Sequence, residues 1–383
     1  MRLTFIEPTP SPNSMKLNVD VKLPAGRRET YVPAEADKAP EPLRGLLAID
    51  GVRSLFRTAD FIALDRKPGA DWERILAEAR ALLGEGSSAA DDAAGPAADS
   101  FGEALAFVQL YRGIPIQVRV REGGREVRAA MPQAFTDAVT SAAQATMIRE
   151  RKLEELGVRY GEPEEIAAEL VRELTAAYPQ QRLDELVADA IAAGGAPAGE
   201  APAAPVRPKP LTTEELAERL QSPEWSERYE ALSRTLAEPE MLPLLAQCLR
   251  DENVSIRRLA VVYLGELRLP EAMPHLFTAL QDASASVRRT AGDTLSDLGD
   301  PAAIGPMTIA ITDRNKLVRW RAARFLYEAG DETAVEALRG AVDDPEFEVR
   351  LQARMALERI ERGEEAAGSV WQQMTARERG GES

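Results

Sequence analysis

From Asp251 onward the chain repeats itself every 31 residues, with Asp251, Asp282, Asp313 and Asp344 in one column and Arg257, Arg288, Arg319 and Arg350 in a second. Ala260, Ala291, Ala322 and Ala353 form a third column, and Leu264, Leu295, Leu326 and Leu357 a fourth. Such a register means one supersecondary unit used four times. In each copy an apolar residue (Ile256, Val287, Val318, Val349) leads into the Ala and Leu columns at i+4 and i+8, the stripe of one buried helix face. Gly299-Asp300 and Gly330-Asp331 break that helix, and Pro270 and Pro301 stand where a fixed φ suits the first position of the next. Ala272, Leu276 and Leu280, then Ala303, Met307 and Ile311, supply the second helix. A helical hairpin of this size cannot bury its apolar face alone, so the copies must stack into an α-solenoid. The expected solenoid covers 211–363, with Leu211 to Leu249 as a diverged terminal copy. A tail at 364–383 follows, in which Trp371 can fold back over the last apolar face.

The Asp and Arg columns read as structure. An active site needs unlike groups converging once, whereas Asp251, Arg257, Asp282, Arg288, Asp313, Arg319, Asp344 and Arg350 are one pair distributed along an axis. Each guanidinium is expected to bond the carboxylate or loop carbonyls of an adjoining copy. The third copy departs from the acidic trend with DRNKLVRWRAARFLY, where Arg314, Lys316, Arg319, Arg321 and Arg324 surround Trp320. Arginine and tryptophan are enriched where partners dock, which makes Lys316, Trp320, Arg321 and Arg324 a candidate partner site. Ion pairing between repeats with Trp320 packed inside is the competing explanation.

Before the repeats, two Pro/Gly/Ala-rich stretches without apolar periodicity, at 86–100 and 192–210, read as linkers. They leave a segment at 1–85 with the pattern ββαββα, its last helix opening at Asp71 and carrying Trp72, Ile75, Leu76, Ala79, Leu82 and Leu83 on one face. The segment at 101–191 opens with strands FVQLYRGIPIQVRV and REVRAA around Gly123-Gly124. Three helices should follow, the first from Gln133 to Leu156, the second from Pro163, and the third with Leu183, Leu186 and Ile191. The fold class is therefore multidomain α+β: two small α/β modules and an all-α solenoid.

Near the start, FIEPTPSPNSMK places a proline at every second position. Each ring fixes its own φ, removes a donor and pushes the residue before it toward extended backbone. This stiff rod either connects the first two strands along one path or presents a docking surface with Asn13 and Lys16 as polar contacts.

The 383 residues hold one cysteine, Cys248, and one histidine, His275, which excludes disulfides and the Cys/His sets of zinc and iron–sulfur sites. No metal site, cofactor or catalytic residue is expected. His275 lacks an acid, base or nucleophile partner in sequence, and Cys248 sits in the apolar stretch LLAQCL as a small hydrophobe. A net charge of −16 argues against general binding to nucleic acid or anionic membranes. No run of 18 apolar residues occurs. Together with a strand-like N-terminus, this makes the cytoplasm the expected compartment.

The repeats resemble short HEAT repeats of the phycobilisome-lyase-like kind, although the period is shorter than the about 40–47 residues usual for HEAT. EPTPSPNSMK, LLAIDGVRSLF, DFIALDR and DW, in that order, resemble the N-terminal domain of the Nfu/NifU scaffold proteins of iron–sulfur cluster assembly. In that family a separate CxxC domain holds the cluster, and this sequence has no such motif. The full order of modules, with GIPIQVRV and ERKLEELGVRYG in the middle, resembles the conserved virulence factor C family of bacteria, whose name implies no known reaction. With one thiol and one imidazole in the whole sequence, the expected function is that of a non-enzymatic adaptor whose linked modules bind protein partners. Two alternatives stay open: an accessory factor in cluster delivery that does not hold the cluster, and a lyase-like enzyme.

Overall fold

The computed structural model describes residues 1–9, 13–24, 27–67, 70–84, 103–122, 125–142, 151–192 and 209–364. Both linker stretches lie almost wholly outside these residues, as do Pro10, Pro12, Gly123-Gly124 and Trp371. The class is α+β, with two antiparallel sheets followed by helical repeats.

The first sheet contains β1 (Leu3–Pro8), β2 (Ser14–Val19), β3 (Arg28–Tyr31), β4 (Val52–Thr58) and β5 (Phe61–Arg66), in the order β1-β2-β5-β4-β3. One face is covered by α1 (Leu43–Ala48) and α2 (Trp72–Leu83). Alternation along β2, β4 and β5 buries Leu17, Leu55, Ile62 and Leu64 against Trp72, Ile75 and Ala79 of α2. Leu82, expected on that stripe, is exposed and lies along Gly45 instead. Asp71 caps α2 by accepting from the Glu73 N–H at 2.8 Å, and Gly84 closes it at φ 76°. The sequence pattern missed β3, a four-residue edge strand too short to show a period. The ladder of β1 and β2 reaches into the proline-rich stretch, with Glu7 and Pro8 opposite Lys16 and Met15. The proline-rich stretch therefore joins two strands of a hairpin.

The second sheet has the order β8-β7-β6-β9, from β6 (Glu103–Tyr111), β7 (Ile114–Glu122), β8 (Arg125–Ala130) and β9 (Arg151–Tyr160). Its inner face carries Ala104, Ala106, Val118 and Val120 under α3 (Gln133–Ala142), α4 (Pro163–Ala177) and α5 (Gln180–Ala192). The single long helix expected from Gln133 to Leu156 is not formed: α3 covers Gln133–Ala142, and Arg151–Tyr160 is a strand. RKLEEL favours a helix in isolation, but pairing with all of β6 satisfies its backbone and overrides that preference.

The remainder is helix on helix: α6 (Thr213–Arg219), α7 (Trp225–Ser233), α8 (Leu242–Cys248), α9 (Val254–Leu267), α10 (Met273–Ala279), α11 (Ala285–Leu298), α12 (Ile304–Ala310), α13 (Lys316–Ala329), α14 (Val335–Ala341) and α15 (Phe347–Glu361). Long helices α7, α9, α11, α13 and α15 stack side by side, and the short ones back them. Ile256, Val287, Val318 and Val349 are buried along with the Ala column.

Candidate interaction site: the inner face of the repeats

What is constant between copies holds the stack together. Arg257 clamps Asp282 through Nε and Nη2 at 2.7 and 3.0 Å, Arg288 clamps Asp313 at 2.7 and 2.9 Å, and Arg319 clamps Asp344 at 2.7 and 3.0 Å. The third guanidinium nitrogen turns back to its own loop, as Arg288 Nη1 does to the carbonyls of Asp282 and Ala283. Each Asp also accepts from the N–H two residues on, so one carboxylate shapes the turn and receives the neighbour's arginine. The sequence reading missed Arg228, which clamps Asp251 at 2.8 and 2.9 Å from the diverged first copy. Ser222 and Pro223 supply the loop carbonyls for Arg228 where the other copies have the Asp and its successor. Arg350 bonds only its own loop carbonyls and stands 3.7 Å from Glu73 of α2.

What varies between copies meets the rest of the chain. The position after the ladder arginine is Arg258, Arg289, Trp320 and Leu351, and the position two before it is Ser255, Ser286, Leu317 and Glu348. Residues three apart share one helix face, and this face is the one the two α/β modules cover. Arg258 grips the Glu173 carboxylate of α4 at 2.9 and 3.1 Å, and Arg159 of β9 joins it at 3.1 Å. Burial would raise the Glu173 carboxyl, but the charges of Arg258 and Arg159 outweigh this and hold it below the usual range. Glu169 beside it is raised, first by burial and then by the Glu173 charge. One copy further, the Arg289 guanidinium lies 4.0 Å from the Tyr160 ring of β9 and 5.3 Å from that of Trp320. Trp320, Leu317 and Val349 form a small buried cluster on which Tyr160 packs.

The last copy receives the first module. Arg66, at the end of β5, pairs with Glu348 at 2.7 Å, their side chains 0% and 5% exposed. Phe347 and Leu351 of α15 pack on the apolar core of that module. Asn13, the residue after the proline-rich stretch, aims the arginine: its backbone oxygen accepts from Arg66 N at 3.0 Å and its Oδ1 accepts from Arg66 Nε at 3.1 Å. Trp72 stacks over the same guanidinium at 5.4 Å.

These contacts correct the expected partner site. Trp320, Arg321 and Arg324 are buried, so none is on a face that a second protein reaches. Arg321 pairs with Asp293 at 2.7 Å and Arg324 with Glu328 at 2.8 Å, because two buried cationic side chains on an inward helix face need internal acids. Lys316 keeps partial exposure, 3.9 Å from Glu346. Asn13 works inward, and Lys16 lies over the Phe61 ring at 5.0 Å on the first sheet. Both modules are docked on the solenoid through buried charge pairs, Glu173 with Arg258 and Arg66 with Glu348.

Cys248 is buried in α8, and burial followed by the nearby Asp251 charge pushes its thiol up to about 12. His275 is half-buried in α10. No group of three or more His, Cys, Asp or Glu among the described residues could hold a metal ion. No described helix is long and apolar enough to cross a membrane. A cleft of about 690 Å³ separates β9 from α9 and α11, with Tyr160, Arg289, Asp293 and Asp297 on its walls. Burial raises the Asp297 carboxyl there.

Comparison with known proteins divides the chain along the same lines. Residues 4–89 match the family described as the scaffold protein Nfu/NifU N terminal, residues 109–187 match the family described as virulence factor, and residues 213–292 and 273–358 match HEAT repeats. Over the whole chain it is 50% identical to the uncharacterized protein YpgR of Bacillus subtilis, covering 100% of both. It is 46% identical to the conserved virulence factor C of Staphylococcus aureus, covering 98% of this chain and 100% of that one. Among solved structures it is similar to protein SAV1430 of Staphylococcus aureus, at 30% identity and TM-score 0.21, over 21% of this chain and 98% of that one.

Proposed function

As this chain belongs to the conserved virulence factor C family, we propose that it is a non-enzymatic scaffold of the cytoplasm that presents its two α/β modules to protein partners in one fixed arrangement. The observation that carries this reading is the inner face of the repeats. HEAT repeats ordinarily offer such a surface to other molecules, and here Arg258, Arg289, Trp320 and Glu348 spend it on the chain's own modules. Partner recognition then belongs to what the modules expose once docked.

Affinity capture from the native cell tests this. The full chain should retain a defined set of proteins, and a variant carrying Arg66→Glu and Arg258→Glu, which undocks both modules, should lose most of them. Retention of the same set by the undocked variant, or turnover of a metabolite by the purified chain, would contradict the proposal.

A second reading, delivery of iron–sulfur clusters carried by another protein, is favoured by the Nfu/NifU match at residues 4–89. In that case the cluster is the partner's, because the lone thiol of Cys248 is buried and protonated at neutral pH. Reconstitution with iron and sulfide should leave the purified chain colourless. A visible absorption band that disappears in Cys248→Ala would refute this form of the reading.

A further inference from the structure

The second sheet is covered on one side only. Its inner residues lie under helices, and its outer side is set by the register. Leu105, Phe107 and Gln109 of β6 stand opposite Val158, Glu155 and Leu153 of β9 on one flank and Arg121, Arg119 and Gln117 of β7 on the other. Beyond β7, Glu126 and Arg128 of β8 face Arg121 and Arg119. Side chains directly opposite in an antiparallel pair share a face.

This face has two halves of different chemistry. The β6–β9 half is mainly apolar, with Glu155 as its one carboxylate: among the described residues nine large hydrophobic side chains are exposed, and Leu105, Leu153 and Val158 are three of them, each about two-fifths exposed. The other six come from separate elements or loops. The β7–β8 half is basic, with Arg119, Arg121 and Arg128 against the single carboxylate of Glu126. Arg121 spans the halves by lying 5.0 Å over the Phe107 ring. Arg119 Nη2 and Gln117 Nε2 both donate to the Gln109 Oε1, at 2.9 and 2.6 Å, while Arg119 Nε has no hydrogen-bond partner. In a chain of net charge −16, a basic half-face beside an apolar one is a local inversion.

We infer that this open sheet face is the docking surface for an acidic protein segment whose carboxylates lie over Arg119, Arg121 and Arg128 and whose apolar side chains lie over Leu105, Phe107, Leu153 and Val158. The inference rests on the scaffold reading and names the surface it uses. Charge complementarity selects an acidic occupant. The apolar half selects protein over nucleic acid, because its one ring, Phe107, is half-buried beneath Arg121 and the three aliphatic side chains offer no stacking platform for bases.

The test uses the full chain and a fluorescent seven-residue peptide alternating glutamate and leucine, with its lysine-for-glutamate counterpart and a single-stranded RNA oligomer as controls. Because Arg121, Arg128 and Leu153 are exposed, Arg121→Glu, Arg128→Glu and Leu153→Asp should fold normally. The acidic peptide should bind, each variant should weaken it at least tenfold, and the lysine peptide should not bind. Equal binding by variants and wild type, no binding of the acidic peptide, or RNA binding lost in the same variants would overturn the inference. Capture from the native cell separates the two levels. A wild-type chain that retains no specific protein defeats the scaffold reading, whereas partners retained equally by wild type and the triple variant defeat only this surface.

Discussion

Arg66 and Glu348 meet at 2.7 Å with almost no exposure on either side. Removing one member of a buried pair leaves the other charge uncompensated, a loss of about 3–5 kcal/mol. Glu348→Ala should therefore lower the urea-unfolding midpoint sharply, while Arg66→Met with Glu348→Leu should recover most of the loss; equal loss in both variants would show that the pair is not the docking contact. Glu173 gives a pH signature. Its carboxyl is depressed in the folded state, so its contribution is complete above the unfolded value of about 4.3 and is lost as pH falls through the folded one. The stability difference between wild type and Glu173→Gln should be large at pH 7 and shrink below about pH 4. A difference that stays constant down to pH 3 would contradict the pairing with Arg258. At this scale the sequence was legible where residues recur and misleading where they differ. Trp320 with its arginines looked like an outward patch because charge usually marks surface, yet the acid of Arg321, Asp293, sits one copy back, and that of Arg324, Glu328, one turn further along the same helix.

Among the elements, the long helices carry the legible part: a period of 31 with four columns fixed the stack, the ladder and the buried stripe. The ladder predicts a graded response. Arg288 makes two bonds to Asp313 and two to its own loop, and Arg350 makes only the loop bonds. Lysine cannot reproduce a bidentate fork. Arg288→Lys should cost about 1.5–3 kcal/mol, as for hydrogen bonds to charged groups, and Arg350→Lys clearly less by thermal or chemical unfolding. Equal effects at both positions would show that the loop carbonyls alone matter. What stayed illegible was non-local. β9 reads as a helix because its residues favour one, and only β6, 40 to 57 positions upstream, supplies the pairing that makes it a strand. The variable columns were a usable signal that went unread: a fixed repeat position occupied by Arg258, Arg289, Trp320 and Leu351 has to meet four different surroundings.

Over the whole molecule, a repeat surface that looks outward in the sequence serves as an internal mould. Pulsed dipolar spectroscopy on the full chain tests this most directly, with spin labels at Glu165→Cys and Glu271→Cys for the second module and at Glu78→Cys and Glu358→Cys for the first, all four exposed. Native Cys248 can remain, being buried and unreactive. Docked modules predict one narrow distance distribution for each pair, broadening when Arg258→Glu or Arg66→Glu is added to the matching pair. A broad distribution in the otherwise unaltered chain would contradict the docked arrangement.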